Sequence, residues 1–400
     1  MNEQSLKSNT IPPRLLIVTQ AVDKNDPALG FFHRWVEEFA KRCETVTVIC
    51  LREGDHRLPE NVRVFSLGGE GGFAPLTPTL SLERERGQTI AASSSSPIPG
   101  RGCPTGQVRG AKGFSKLFLR LRYSLHFLRL IFRERKNYDA VFVHMNQEYV
   151  LLGGWFWQVL GKRVLMWRNH RMGSILTNLA GAFCDRVFCT SEFSYTAKWK
   201  KTTQMPVGID TDHFKPSPDV ARAPASILCL GRIAPVKKIE GVLEALNLLH
   251  ERGVESQASI YGDPLPKDVA YDASLKKYVA EHDLSARVSF RHSVPNADTP
   301  AIYGAHEIFI NNTPSGALDK TMFEAAACEC LVVAPSEDFG KMAGERFRVP
   351  DNDPVALADR LAEFLALPEA EKRRAAINLR AMVVADHSLA SLAEKVLAFV

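Results

Sequence analysis

Three short stretches hold the residues whose types and spacing could do chemistry. In "LCLGRIAPVKKIEG" an apolar run ends at Gly231, Arg232 follows at once, and Lys237 and Lys238 stand just before a segment of helical spacing. A guanidinium, an ammonium and the unpaired N–H groups of a helix start all favour negative charge, so the pattern suits a diphosphate. Solvated surface charge is the plain alternative. In "NNTPSGALDKTMFEAAACECLVVA" only Glu324 and Glu329 are charged from Thr321 onward, and Glu324 lies among Phe323, Ala325 and Ala326. A buried acid needs a partner. An ionised carboxylate only accepts hydrogen bonds, so Glu324 suits vicinal hydroxyls such as a ribose presents. A structural ion pair with Lys320, one turn earlier, would also account for it. Eight residues before Glu324, Gly316 in "PSGA" lets backbone amides approach a sugar or phosphate, although a bare turn explains it too.

The third stretch is "LMWRNHRMGS", where His170 follows a strand between Arg168 and Arg171. A neutral imidazole there could hydrogen-bond a reacting sugar or an incoming hydroxyl. His144, in "FVHMN", competes for that role from a similar place. Asp210 and Asp212 form a DxD pattern of the kind that binds a divalent cation, but they stand on a Pro/Gly-rich linker and carry little weight. There is no GxGxxG after the first strand, no GxxxxGK[ST] and no GxSxG, so dehydrogenase, P-loop and α/β-hydrolase readings lose their main support.

The elements that must position these residues alternate. "RLLIVTQ" and "TVTVICL" read as buried strands around a helix with apolar positions at Phe32, Val36 and Phe39. "DAVFVHM", "RVLMW" and "DRVFCTS" extend the series, "MPVGIDTDHFKPSPDVARAPA" breaks it, and alternation resumes at "SILCLGR". Strand–helix alternation predicts parallel α/β layers, and two of them enclose a cleft. The boundaries follow: a first domain over 1–205, a second over 206–385, and a C-terminal segment, 386–400, expected to pack back on the first. Residues 71–112, rich in Gly, Pro and Ser, are expected to be a mobile insertion. After them, "FSKLFLRLRYSLHFLRLIFRERK" offers an apolar face at Phe118, Leu121, Leu125, Leu128 and Phe132, with Arg122, His126, Arg129 and Arg133 on another. That helix is either an ordinary domain helix with a solvated arginine stripe or one that touches anionic lipid.

Composition sets outer limits. A chain of 400 residues, 45% hydrophobic and 24% charged, is an ordinary globular one long enough for two cores. Residues 1–200 hold 28 Lys/Arg against 17 Asp/Glu, a balance of +11, whereas 201–400 hold 22 against 28, or −6. The first half therefore faces something anionic or carries solvated charge. Eight cysteines without a CxxC pair or finger-spaced histidines argue for reduced thiols rather than zinc. No leader-like start or spanning run is visible, so a cytoplasmic place is expected.

Together "GIDTDHF", "LGRIAPVKK" and "GALDKTMFEAAACECLVV" resemble the group 1 retaining glycosyltransferases, classed as family 4, and the opening "LLIVTQAVDKNDPALGFFHRWVEEFA" is similar to that family's N-terminal segment. The resemblance implies a GT-B fold, two Rossmann-like domains facing a central cleft, with the acceptor held by the first and a nucleotide-sugar donor by the second. It implies that Gly231, Arg232, Lys237, Gly316, Ala317, Leu318 and Glu324 bind the donor, with Arg232 and Lys237 on its diphosphate and Glu324 on its ribose. It places His170 beside the transferred sugar and has the Gly30 loop close over the reaction centre. It further implies retention of anomeric configuration with neither metal nor cofactor, the nucleoside-diphosphate sugar being a substrate. A glycan or lipid-linked acceptor in envelope or capsule assembly is the expected partner, with no nucleic acid, and the place of work is the cytoplasm, extending to the inner face of the membrane. Three departures accompany the likeness: Gly316 stands where the family commonly has a second Glu, Lys238 where a Gly is usual, and Glu329 where a Gly is common. They keep open a second hypothesis, a catalytically weak nucleotide-sugar-binding or scaffold protein.

Overall fold

The computed structural model describes residues 12–26, 29–68, 111–316 and 318–400, with side chains from residue 119 onward in the first helix after the gap. The predicted insertion falls almost wholly outside the described residues, as does Ala317.

The first lobe is built from β1 (Arg14–Val22), α1 (Gly30–Ala40), β2 (Thr45–Glu53), β3 (Val62–Ser66), α2 (Ala111–Arg133) and β4 (Ala140–His144). It continues through α3 (Gln147–Val159), β5 (Arg163–Trp167), α4 (Ile175–Ala182), β6 (Arg186–Cys189) and β7 (Thr202–Gln204). Its seven strands lie in the order β3-β2-β1-β4-β5-β6-β7 and every pairing is parallel. Helices cover both faces, which is why strands such as β4, buried at all five positions, read as unbroken apolar runs.

The second lobe repeats the plan. Its elements are β8 (Ser226–Leu230), α5 (Ile239–Glu251), β9 (Gln257–Tyr261), α6 (Val269–Glu281), β10 (Val288–Arg291), α7 (Thr299–Gly304) and β11 (Ile308–Ile310). After them come α8 (Lys320–Ala327), β12 (Leu331–Val333), α9 (Glu337–Ala343), α10 (Pro354–Ala366) and α11 (Glu369–Asp386). The parallel order is β10-β9-β8-β11-β12. In each sheet the strand order reverses once, between β1 and β4 and between β8 and β11. Ligands of such sheets bind beyond the carboxyl ends of the strands at that reversal.

The last helix, α12 (Leu389–Leu397), belongs to the first lobe's core: Leu389, Leu392, Ala393 and Val396 pack with Trp35, Phe39 and Phe142. The chain crosses between lobes twice, and the crossings are bonded together. Gly208 and Ile209 N–H donate to the His387 carbonyl at 3.1 and 2.9 Å, and Leu389 N–H donates to Ile209 O at 2.7 Å. Gly208 has φ +76, and a Cβ there would lie 2.4 Å from Leu392 and 2.8 Å from Trp35, so only glycine fits.

One sequence expectation is overturned in α2. Its predicted apolar face is largely exposed at Leu121, Leu125 and Phe132; the described buried positions are Tyr123, Phe127, Leu130 and Ile131. Both sets obey helical spacing, and the face with the larger rings wins: Phe127 meets Tyr149 at 5.0 Å and Trp157 at 6.1 Å between centroids. The seven described cysteines are free thiols, six of them buried.

Leu392→Ala would remove a fully buried side chain from the seat of α12. It is expected to lower the unfolding free energy by about 2–5 kcal/mol in urea titration; a loss under roughly 1 kcal/mol would mean that α12 does not complete this core.

Candidate functional site

Of the predicted site residues, Glu324 lines a small cavity between the lobes, while Gly30, His170, Gly231, Arg232, Lys237, Gly316 and Leu318 are not part of its lining. Beyond β8, Gly231 (φ +147) turns the chain so that Arg232 emerges exposed. Among the described residues Arg232 has no ion-pair partner. Lys237 differs: its ammonium is paired with Asp319. Asp319 also caps α8 by accepting from Thr321 N–H, and Lys237 with these bonds holds its carboxyl down near 2 despite burial. The pair is a fixed, nearly neutral unit, so the free cation of this loop is Arg232 rather than Lys237. Lys238 and Glu329, the non-glycine departures, have φ of +50 and +61, the left-handed conformation that glycine adopts without strain.

Glu324 is 5% exposed, and its partners are not the lysine one turn back. Tyr303 Oη donates to one carboxylate oxygen at 3.1 Å and Asn296 Nδ2 to the other at 3.4 Å. Burial raises its pKa to about 6, against the favourable field of Lys320. Lys320 turns instead toward the first lobe. Its Nζ sits 3.9 Å from the ring centroid of Phe31 and 4.2 Å from that of Trp35, with Gly208 O at 3.5 Å. Burial pushes its pKa down to about 7, and the two ring faces offset part of the cost of its charge. Phe31, Trp35, Gly208, Asn296, Lys320 and Glu324 thus line one small cavity between the lobes. A larger hollow behind the second lobe, lined by Arg222, Glu307, Lys372 and Arg373, contains none of the predicted residues.

On the first-lobe side Gly30 is the first residue of α1, where a Cβ would lie 2.8 Å from Lys24 O; the turn Asp23–Leu29 leading to it is described apart from residues 27–28. The two histidines separate sharply. His144, at the end of β4, is buried, stacked on Phe32 at 4.1 Å, and depressed to about 3 by burial and then by Lys320. His170 is exposed, and its Nδ1 lies 3.0 Å from both Met172 N and Met172 O, so the ring can accept from the amide in one tautomer or donate to the carbonyl in the other. Asn169 holds that loop by accepting from Thr190 N–H and Ser194 Oγ.

Gly316 has φ +93, and the space above it is filled from the other lobe: a Cβ there would lie 3.1 Å from Arg171 Nη1, which donates to Ser315 O at 3.3 Å. Leu318 packs against the second lobe's core. Asp210 of the DTD stretch is taken by Arg34 at 2.9 Å. Further across the cleft Ser191 Oγ donates to Asp338 at 2.5 Å and Lys341 pairs with Glu192. Sequence reasoning missed Tyr303, Asn296, Asp319, Phe31 and Trp35. Only Asp319 had a local signal, an acid directly before a helix.

Two parallel α/β lobes whose strand-order reversals face one cleft define the GT-B class of fold. Solved structures agree: over 96% of this chain and 98% of theirs, Anabaena HepE in complex with UDP and glucose aligns at TM-score 0.66 and 17% identity. Sucrose-phosphate synthase of Thermosynechococcus elongatus aligns at 0.68 and 19% identity, covering 96% of this chain and 97% of that one. Residues 224–366, within the second lobe, match the family described as Glycosyl transferases group 1. A GDP-mannose-dependent alpha-(1-6)-phosphatidylinositol monomannoside mannosyltransferase of Mycolicibacterium smegmatis is 28% identical over 147 residues. That match covers 32% of this chain and 37% of the mannosyltransferase's length.

The Lys320–Glu324 pair sets a pH dependence. The fold holds Lys320 near 7 against an ordinary 10.5, so the unfolded chain binds more protons between those values and stability rises with pH there. Glu324 is held near 6 against an ordinary 4.5, so stability falls as pH rises across that lower window. Lys320→Met is expected to abolish the gain above pH 7 in urea unfolding; a variant that keeps the wild-type slope would show that Lys320 does not titrate in the cleft.

Proposed function

We propose that this protein is a glycosyltransferase that moves a sugar from a nucleoside diphosphate to a glycan or lipid-linked acceptor, with retention of configuration and without a metal ion, in cell-envelope or capsule polysaccharide assembly. The observation that carries the reading is Glu324: a buried carboxylate set by Tyr303 and Asn296 in the cavity between the lobes, inside the family-matched stretch that also holds Arg232. The carboxylate accepts the ribose hydroxyls. As the glycosidic bond loosens, charge grows on the departing diphosphate, and Arg232 with the backbone amides after Gly231 meets it. Lys237 contributes as a member of its pair with Asp319, positioned rather than free. His170 hydrogen-bonds an oxygen of the sugar or acceptor, and closure over the Gly30 end of α1 excludes water. The work takes place in the cytoplasm, at the inner face of the membrane. That HepE was solved with UDP and glucose, and that the mannosyltransferase uses GDP-mannose, supports a sugar-nucleotide donor without fixing base or sugar.

The reading of a weak nucleotide-sugar binder draws on Gly316, where no acidic side chain can hold a donor-sugar hydroxyl and Arg171 occupies the space. Titrating UDP- and GDP-sugars while following released nucleoside diphosphate, with and without acceptor extract, separates the two: binding without turnover favours the second. In the same assay Arg232→Ala is expected to lower kcat/KM by about 30- to 1,000-fold, roughly 2–4 kcal/mol of transition-state stabilisation. The exposed side chain leaves the fold unchanged. Near-normal turnover would defeat the assignment of Arg232 to the diphosphate.

A further inference from the structure

We infer that the outer face of α2, α3 and α4 is a docking surface for an anionic lipid bilayer, and that it presents a lipid-linked acceptor to the cleft at its edge. The second half of that inference rests on the transferase reading; the first does not. Of the exposed large apolar side chains in the described residues, eleven of seventeen fall between Leu121 and Leu179. Leu121 and Leu125 on α2, Trp155 and Val159 on α3, and Ile175 and Leu179 on α4 are about half exposed or more, with Val159 at 79% and Ile175 at 84%. The three helices are neighbours: Phe132 of α2 lies 6.1 Å from Phe156 of α3, and Gly154 of α3 lies against Phe183 at the end of α4. A contiguous apolar face of this kind is rare on a soluble monomer.

Charge chooses the occupant. α2 contains six Lys/Arg and no acid, α3 has only Glu148 in its first turn, and α4 has no acid. Arg120, Arg122 and Arg129 are exposed among the leucines, whereas Arg133 is paired with Glu134 just past the helix. Cations interleaved with apolar side chains, with almost no carboxylates, complement phosphate headgroups over acyl chains. None of the described helices is long and apolar enough to cross a membrane, so the contact is peripheral. Position chooses the cargo. The loop from β5 to α4 carries exposed Met172 beside His170 and Arg171, and Arg171 reaches Ser315 O of the other lobe. The bilayer face thus ends at the mouth of the cleft on its acceptor side, where an amphiphile could enter without leaving the lipid surface.

The test is flotation of the full chain with phosphatidylglycerol-containing vesicles, against pure phosphatidylcholine. Wild type is expected to float only with the anionic vesicles. Leu125→Asp with Val159→Asp, and separately Arg122→Gln with Arg129→Gln, are each expected to weaken binding by about tenfold or more. All four positions are exposed, and unchanged thermal unfolding checks that the variants fold. Wild type that stays soluble, variants that float unchanged, or a dimer that Leu125→Asp splits in sedimentation would overturn the bilayer as occupant, whatever the enzyme's activity. For the cargo, the same variants should transfer sugar normally to a detergent-dispersed lipid-linked acceptor and about tenfold less to one embedded in vesicles. Equal rates in both settings would overturn delivery while leaving the transferase reading intact.

Discussion

The interaction on which the cleft depends is the bonding of the two chain crossings at Gly208–Ile209 and His387–Leu389. Covalent links alone would let the lobes tumble, because a linker restricts distance and not orientation. Pairing the crossings makes α12 part of the first lobe's core while α11 stays on the second, so the lobes share a hydrogen-bonded hinge. The carbonyl of Gly208 concentrates the effect. It accepts from Trp35 Nε1 at 3.1 Å and lies 3.5 Å from Lys320 Nζ, so one backbone group joins α1, the crossing and α8. The absence of a side chain at Gly208 is what admits Trp35 and Leu392 so closely.

Once the lobes are held, charge in the cleft is distributed by burial. Two lysines stand near two carboxylates, but they are not paired alike. Lys237 and Asp319 form a direct ion pair in which the acid is strongly stabilised as an anion. Lys320 and Glu324 act on each other through space, each displaced toward neutrality by burial, and each finds its contacts elsewhere, in aromatic faces and in a phenol and an amide. The first pair is a fixed element of the α8 start. The second can change its protonation when a ligand displaces water or moves the rings, and it joins a residue of one lobe to a wall of the other. A change of charge at Glu324 would therefore be felt at Phe31 and Trp35 through Lys320.

Much of this architecture was legible in the sequence, because parallel strands buried on both faces announce themselves as apolar runs, as with "RVLMW" for β5 and "IFI" for β11. The fold class followed from their alternation with helical spacing. Arg232 and Glu324 stood out because a charge beside small or apolar residues is locally anomalous. The partners of Glu324 did not: Tyr303 and Asn296 reach it across 21 and 28 residues, and nothing near either one marks it. The misjudged face of α2 has a different cause. The helix is apolar on two sides, and which side is buried was decided by Tyr149 and Trp157 on another helix. Tertiary contacts, not local pattern, carried the missing information.

The three departures from the family pattern divide on physical grounds. Lys238 and Glu329 adopt the left-handed conformation that glycine takes without strain, at an expected cost of about 1–2 kcal/mol each, so their effect falls on stability. Gly316 is different in kind. With φ +93 it occupies a conformation a glutamate would adopt only under strain, and the guanidinium of Arg171 lies where a side chain would begin. At this position the second lobe offers no acid, and a cation of the first lobe stands beside it. Because that guanidinium donates to Ser315 O, the contact at Gly316 exists only while the lobes are together, and the surroundings of this glycine are a property of the cleft rather than of the second lobe alone.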